Sequence, residues 1–171
     1  MRILFLGHSL VEFFDWQGRF PSHEVFNLGV AGETTGELLE RTDLVVRDHG
    51  DCDAVLVMTG TNDLLGGDRS FLEEYRRLAA KLRSLCPRSR IVLHGILPVD
   101  PEWVERSVID ELNVEVAKVA DEAGAEFFDL TGPFSGADGE ARRELLLEDG
   151  VHLSAEGYRV WSKALEDLLR L

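Results

Sequence analysis

Along this chain, short runs of consecutive apolar residues alternate with longer segments of helical period, the pattern that parallel strands joined by crossover helices produce. The runs predict strands at Arg2–Leu6, Glu24–Leu28, Ala54–Met58, Arg90–Gly95 and Glu126–Asp129. Ile3 to Leu6, Val55 to Met58 and Ile91 to Leu93 are apolar without alternation, as strands covered on both faces must be. Between them, Phe71, Tyr75, Leu78, Leu82 and Leu85 form one helical stripe, and Val104, Val108, Leu112, Val116 and Val119 form another. Glu33–Arg47 predicts a less regular helix with Leu38, Leu39, Val45 and Val46 as its buried side. A last helix follows the N-cap candidate Ser154, with Tyr158, Trp161, Leu165 and Leu168 on one face. From Thr131 to Gly150 the periodicity fails apart from Leu145, Leu146 and Leu147, and a long loop with one helical turn is expected. The predicted architecture is a three-layer α/β/α sandwich around a five-stranded parallel sheet.

At 171 residues and 44% hydrophobic content, one domain spanning residues 1–171 can fill a core without staples. With 32 Asp plus Glu against 18 Lys plus Arg, the formal charge of −14 repels phosphate backbones and anionic bilayers, which excludes a nucleic-acid role. The N-terminal apolar run is too short for a signal-peptide core, and no later run reaches the length of a membrane span. Cys52 and Cys86 lack C-x-x-C spacing, so two reduced thiols in a cytoplasmic protein are expected, rather than a disulfide framework or a zinc site.

The polar clusters fall at the carboxyl ends of predicted strands, where open α/β sheets bind ligands. After the first strand comes Gly7-His8-Ser9-Leu10. Ser9 and Glu12 have capping-box spacing, so the hydroxyl suits a helix cap as well as a nucleophile. After the second comes Asn27-Leu28-Gly29-Val30-Ala31-Gly32, where a loop glycine serves a turn or, at Gly29, turns an amide into a cleft. After the third comes Gly60-Thr61-Asn62-Asp63, compatible with an Asx-type turn at Asp63 and with Asn62 as a neutral donor to developing negative charge. Before the last helix, Asp149-Gly150-Val151-His152 places a carboxylate three residues from an imidazole, able to fix its tautomer. A bland surface turn and a metal site using His152, Asp149 and His8 are the alternatives. The scattered His23, His49 and His94, and the lack of H-x-x-x-H or H-x-H spacing, disfavour metal.

In this order the four blocks, Gly7-His8-Ser9-Leu10, Asn27-Leu28-Gly29, Gly60-Thr61-Asn62-Asp63 and Asp149-Gly150-Val151-His152-Leu153, resemble those of the SGNH hydrolase superfamily, the GDSL esterases and lipases. The resemblance implies a flavodoxin-like SGNH fold, Ser9 as nucleophile, His152 as general base and Asp149 as its orienting acid. It implies an oxyanion hole from the Ser9 and Gly29 amides and the Asn62 side chain, with no metal or other cofactor. The family's usual aspartate before the serine is His8 here, expected to replace it through a local hydrogen bond. The expected activity is hydrolysis of short-acyl esters, acetyl on a sugar or small alcohol favoured, with small-molecule esters as partners. The alternatives are a lysophospholipase or thioesterase of the same family, a flavodoxin-like binding module, and a silent scaffold on the same fold. An α/β-hydrolase is disfavoured, since no serine lies in G-x-S-x-G. Leu97, Trp103, Phe13, Phe14 and Trp16 are candidate walls of an open, shallow site, although Trp103 at a helix start suits packing on the core better, and covering the end of the sheet suits Phe13, Phe14 and Trp16 equally.

Overall fold

The computed structural model describes residues 1–49, 51–100, 104–137 and 139–170. Its strands are β1 (Arg2–Gly7), β2 (Glu24–Gly29), β3 (Ala54–Met58), β4 (Arg90–His94) and β5 (Glu126–Phe128). All pair in parallel in the order β2-β1-β3-β4-β5. Each predicted strand is present, its ends shifted by at most one residue. The helices are α1 (Ser9–Glu12), α2 (Trp16–Arg19), α3 (Thr35–His49), α4 (Thr61–Leu65), α5 (Leu72–Leu85), α6 (Arg106–Glu122), α7 (Thr131–Phe134) and α8 (Ala155–Leu169).

The pleat divides the strand side chains between two cores. Leu4, Leu6, Val55, Val57, Ile91 and Leu93 pack with α3, α5 and α6, while Ile3, Phe5, Leu56, Met58 and Val92 pack with α1, α2 and α8. The predicted stripes are the buried faces of their helices, except that Leu85 is exposed, and Phe71 and Val104 precede α5 and α6. Trp16 is fully buried, stacked on Phe5 with ring centroids 4.3 Å apart, and its Nε1 donates to the Val11 carbonyl. Burial of such a ring contributes about 2–3 kcal/mol. Trp16 and the equally buried Leu97 are therefore core residues and not walls of a site, whereas Trp103 lies outside the described residues.

The chain runs from β1 outward to β2, then crosses back past β1 to β3. The sheet order thus reverses between β1 and β3, which opens a crevice at their carboxyl ends. The segment from 131 to 150 contains more than the one helical turn expected. It holds α7, a 3-10 turn at Arg143–Leu145 and a bridge from Leu146 to Leu153 that ties it to the start of α8.

Candidate active site

The turn leaving β1 is forced by close packing. A Cβ on Gly7 would lie 2.0 Å from the Met58 carbonyl oxygen, and its φ of 147° is a conformation that glycine supplies at little cost. His8 then caps α1, its Nδ1 accepting from the Leu10 amide at 3.4 Å. The capping box that the Ser9 and Glu12 spacing allowed is absent. Ser9 is the first helical residue, and the Glu12 carboxylate reaches across to the Ala31 amide at 2.6 Å. This frees the Ser9 hydroxyl. As the first residue of α1, Ser9 also has an amide with no carbonyl one turn earlier to receive it.

Ser9 Oγ lies 2.9 Å from His152 Nε2, although 143 residues separate the two in sequence. His152 Nδ1 lies 2.7 Å from Asp149 Oδ2, and Asp149 Oδ1 accepts from the Val151 and His152 amides. With the Nδ1 proton held toward Asp149, Nε2 is the acceptor for the Ser9 hydroxyl. Burial works against the charged Asp149 carboxylate, but the hydrogen bonds from Val151 and from the ring and amide of His152 outweigh it and hold the carboxyl down at about 2. A third of the His152 side chain and half of the Asp149 side chain remain exposed, so the group opens directly to solvent.

His8 is buried, and its Nε2 has no partner. Desolvation, followed by the positive charge that His152 can carry, pulls its pKa to about 4, so the ring is neutral near pH 7. The local hydrogen bond expected of it is present.

The Asn62 Nδ2 donates to the Glu33 carbonyl at 2.9 Å, which leaves its second N–H available. Asp63 is buried and binds the Thr35 amide and hydroxyl, so it holds the start of α3 and forms no side-chain Asx turn. The Gly29 amide departs from expectation. It donates to Asn27 Oδ1 at 3.2 Å, and a Cβ at Gly29 would lie 2.4 Å from the Glu12 nitrogen. Gly29 is needed for the close approach of α1 to β2, and its amide is already engaged. Three residues on, Gly32 is exposed with open space on its Cβ side, and among the described residues its amide has no acceptor. It directly precedes the residue that Asn62 binds. Sequence reasoning passed over Gly32 because two glycines three apart look alike until the partner of each amide is known.

Of the three aromatic candidates after Ser9, only Phe13 faces solvent beside the site. Its ring centroid is 5.7 Å from that of His152, whereas Phe14 stacks on Tyr158. Among the described residues, no group of three His, Cys, Asp or Glu side chains is placed to hold a metal ion, and no helix is long and apolar enough to cross a membrane.

The arrangement suits acyl transfer: a hydroxyl on an imidazole, the imidazole on a carboxylate, and amide donors on three neighbouring loops. The model of the GDSL-like lipase/acylhydrolase family matches residues 8–160. Platelet-activating factor acetylhydrolase IB subunit alpha1 of Rattus norvegicus is 27% identical over 175 residues, spanning 98% of this chain and 74% of the relative. A solved Streptococcus pneumonia protein, provisionally described as a platelet activating factor, superposes with a TM-score of 0.84 at 32% identity, spanning 98% of this chain and 83% of that one. An acetyl-xylooligosaccharide esterase from Geobacillus superposes with a TM-score of 0.78 at 21% identity, spanning 97% of this chain and 92% of that one, a likeness of fold.

Proposed function

The chain belongs to the GDSL-like lipase/acylhydrolase family, whose members are serine hydrolases of carboxylic esters, and we propose that it cleaves short-acyl esters through Ser9, His152 and Asp149. The observation that carries this reading is the continuous pair of contacts, 2.9 Å from Ser9 to His152 and 2.7 Å from His152 to Asp149. The proposal treats residues 1–171 as one catalytic domain.

His152 Nε2 takes the Ser9 proton as Oγ attacks the ester carbonyl carbon. Asp149 holds the ring in the required tautomer and stabilises the imidazolium that forms. The carbonyl oxygen becomes an oxyanion, which receives hydrogen bonds from the Ser9 amide and the free N–H of Asn62. Gly32 takes the place first expected of Gly29 as the third donor, since the Gly29 amide is engaged with Asn27. The tetrahedral intermediate collapses when His152 returns the proton to the leaving alcohol, which yields an acyl-Ser9 ester. Water, deprotonated by His152, then releases the acid and regenerates Ser9.

The acyl group we propose is small, acetyl above all, on a sugar or small alcohol. Two likenesses point the same way: one relative is named for an acetylhydrolase activity, and one structural neighbour for acetylated xylooligosaccharides. The test has two parts. Ser9→Ala should abolish ester hydrolysis, with a fluorophosphonate labelling wild-type protein at Ser9. Across nitrophenyl esters from two to twelve carbons, kcat/KM should fall with chain length. A rising profile would assign the chain to long-chain substrates such as lysophospholipids or acyl-thioesters.

A further inference from the structure

Two of the large apolar side chains left exposed, Phe13 and Leu147, belong to residues whose backbone amides are bonded to the carbonyls of Ser9 and His152. Phe13 is 60% exposed, sits one turn beyond Ser9 with its amide donating to the Ser9 carbonyl at 2.9 Å, and holds its ring 5.7 Å from that of His152. Leu147 is 51% exposed, and its amide donates to the His152 carbonyl at 2.7 Å. The backbone contacts that fix Ser9 and His152 therefore also fix this rim, which keeps apolar surface in water beside the reacting groups.

Mechanistic geometry says which half of a substrate meets the rim. The proton that His152 accepts from Ser9 must pass to the oxygen of the departing alcohol, so that oxygen lies within hydrogen-bond reach of Nε2 when the ester C–O bond breaks. The acyl half is anchored on the other side, by its carbonyl oxygen at the amide donors. What stands beside the His152 ring therefore faces the alcohol. The charges on the two segments restrict that alcohol further: residues 12–15 and 147–152 contain Glu12, Asp15, Glu148 and Asp149 but no Lys or Arg, and Arg143 is already paired with Asp100, which lies against Gly150.

We infer that Phe13 and Leu147 form an alcohol subsite that selects uncharged alcohols presenting an apolar face about the size of one six-membered ring. The aryl or alkyl ring of a hydrophobic alcohol and the C–H face of a pyranose share this chemistry, whereas an anionic alcohol is rejected. The inference rests on the proposed roles of Ser9 and His152 and adds the identity of the leaving group.

The test holds the acyl group at acetyl and varies the alcohol: methyl, benzyl, 4-carboxybenzyl and methyl-pyranoside acetates, with wild type, Phe13→Ala, Leu147→Ala and Ser9→Ala. Both rim residues are exposed, so the fold should persist, and an unchanged melting temperature checks this. Phe13→Ala should lower kcat/KM for benzyl acetate about tenfold, as loss of an apolar contact does, and that for methyl acetate less than about twofold. Leu147→Ala should act in the same direction. A loss on the pyranoside acetate but not on the benzyl ester would assign the subsite to sugars, and the reverse to hydrophobic alcohols. The carboxybenzyl ester should be the poorest wild-type substrate. The acyl-enzyme is common to all these esters, so deacylation after a nitrophenyl acetate burst should be unchanged. Equal losses on methyl and benzyl acetates, or slowed deacylation, would show that Phe13 merely supports His152 and would overturn the inference. So would rim variants that convert a dimer to a monomer while the alcohol profile stays intact, because a second copy would then cover the rim. If Ser9→Ala hydrolyses benzyl acetate as fast as wild type, the triad reading fails and takes the subsite with it.

Discussion

Two buried histidines should make the protein lose stability well before its carboxylates titrate. His94, at the end of β4, lies edge-on to Phe128 and Trp161 with centroids 5.1 and 5.4 Å away, and neither of its ring nitrogens has a partner. Burial pulls its pKa to about 3, and burial with the facing His152 pulls that of His8 to about 4. Both values lie below the unfolded value of about 6.5, so between them the unfolded chain binds protons that the folded chain refuses. The stability these rings contribute is whole above pH 6.5, falls as pH drops through the window from 6.5 to about 3, and levels off below it. At pH 5 the loss relative to pH 7 is about 2 kcal/mol for each ring, or about 4 kcal/mol together. Against a total of about 5–15 kcal/mol, that is a large fraction. Urea unfolding followed by circular dichroism at pH 8, 7, 6 and 5 measures it. His94→Leu, which removes two unpartnered nitrogens at similar volume, should cut the loss between pH 7 and 5 to about 2 kcal/mol. Because carboxylate contributions are common to both proteins, the difference between them isolates His94. If the variant loses as much as wild type over that window, His94 is not held neutral by burial and the reasoning fails.

The site should respond to four further changes. Asn62→Ala should lower kcat about 10²–10³-fold with little change in KM, as loss of one oxyanion donor does; a loss below tenfold would remove Asn62 from that role. Asp149→Asn should lower kcat about 10⁴-fold by permitting the wrong His152 tautomer while the fold persists, checked by steady-state kinetics beside a melting curve. The two glycines separate cleanly. Gly29→Ala drives a Cβ to 2.4 Å from the Glu12 nitrogen and should lower both melting temperature and activity, whereas Gly32→Ala meets open space and should cost about 1 kcal/mol of backbone strain with a larger effect on rate than on stability.

The frame of the molecule was readable because its signals are repetitive. Consecutive apolar residues mark β1, β3 and β4, and three- and four-residue steps mark α5, α6 and α8, each reinforced over several turns. The short helices α1, α2, α4 and α7 have four or five residues each, fewer than two turns, and so carry no period to detect. Ser9 and Glu12 show how a local pattern misleads. Their spacing fits a capping box, but Glu12 has a better partner in the Ala31 amide on the β2 loop, and His8 supplies the cap. That competition is settled by packing between distant segments, as is the choice between Gly29 and Gly32. The proposed triad residues stood out for another reason: Asp149 and His152 are close in sequence, strand topology brings Ser9 to the same sheet edge, and the ordered resemblance of the four blocks supplied their expected roles.

How an acidic chain can stabilise an oxyanion follows from where its carboxylates point. Of the acids around the crevice, Glu12 is bonded to the Ala31 amide, Asp63 to Thr35, Glu33 to Arg41, and Asp149 to two amides and the His152 ring. Each holds a loop or a ring in place, and its charge is matched by a donor. The cap nearest Ser9 is a neutral imidazole, since His8 stays deprotonated down to about pH 4. In the proposed mechanism, negative charge developing on a carbonyl oxygen at Ser9 therefore meets fixed N–H dipoles with no unmatched carboxylate among these four acids. The net charge of −14 acts at longer range, on what approaches: anionic esters are discouraged before they reach the crevice, and neutral ones are not. Exclusion by the surface field and stabilisation by local dipoles are thus separable, and salt should weaken the first without touching the second.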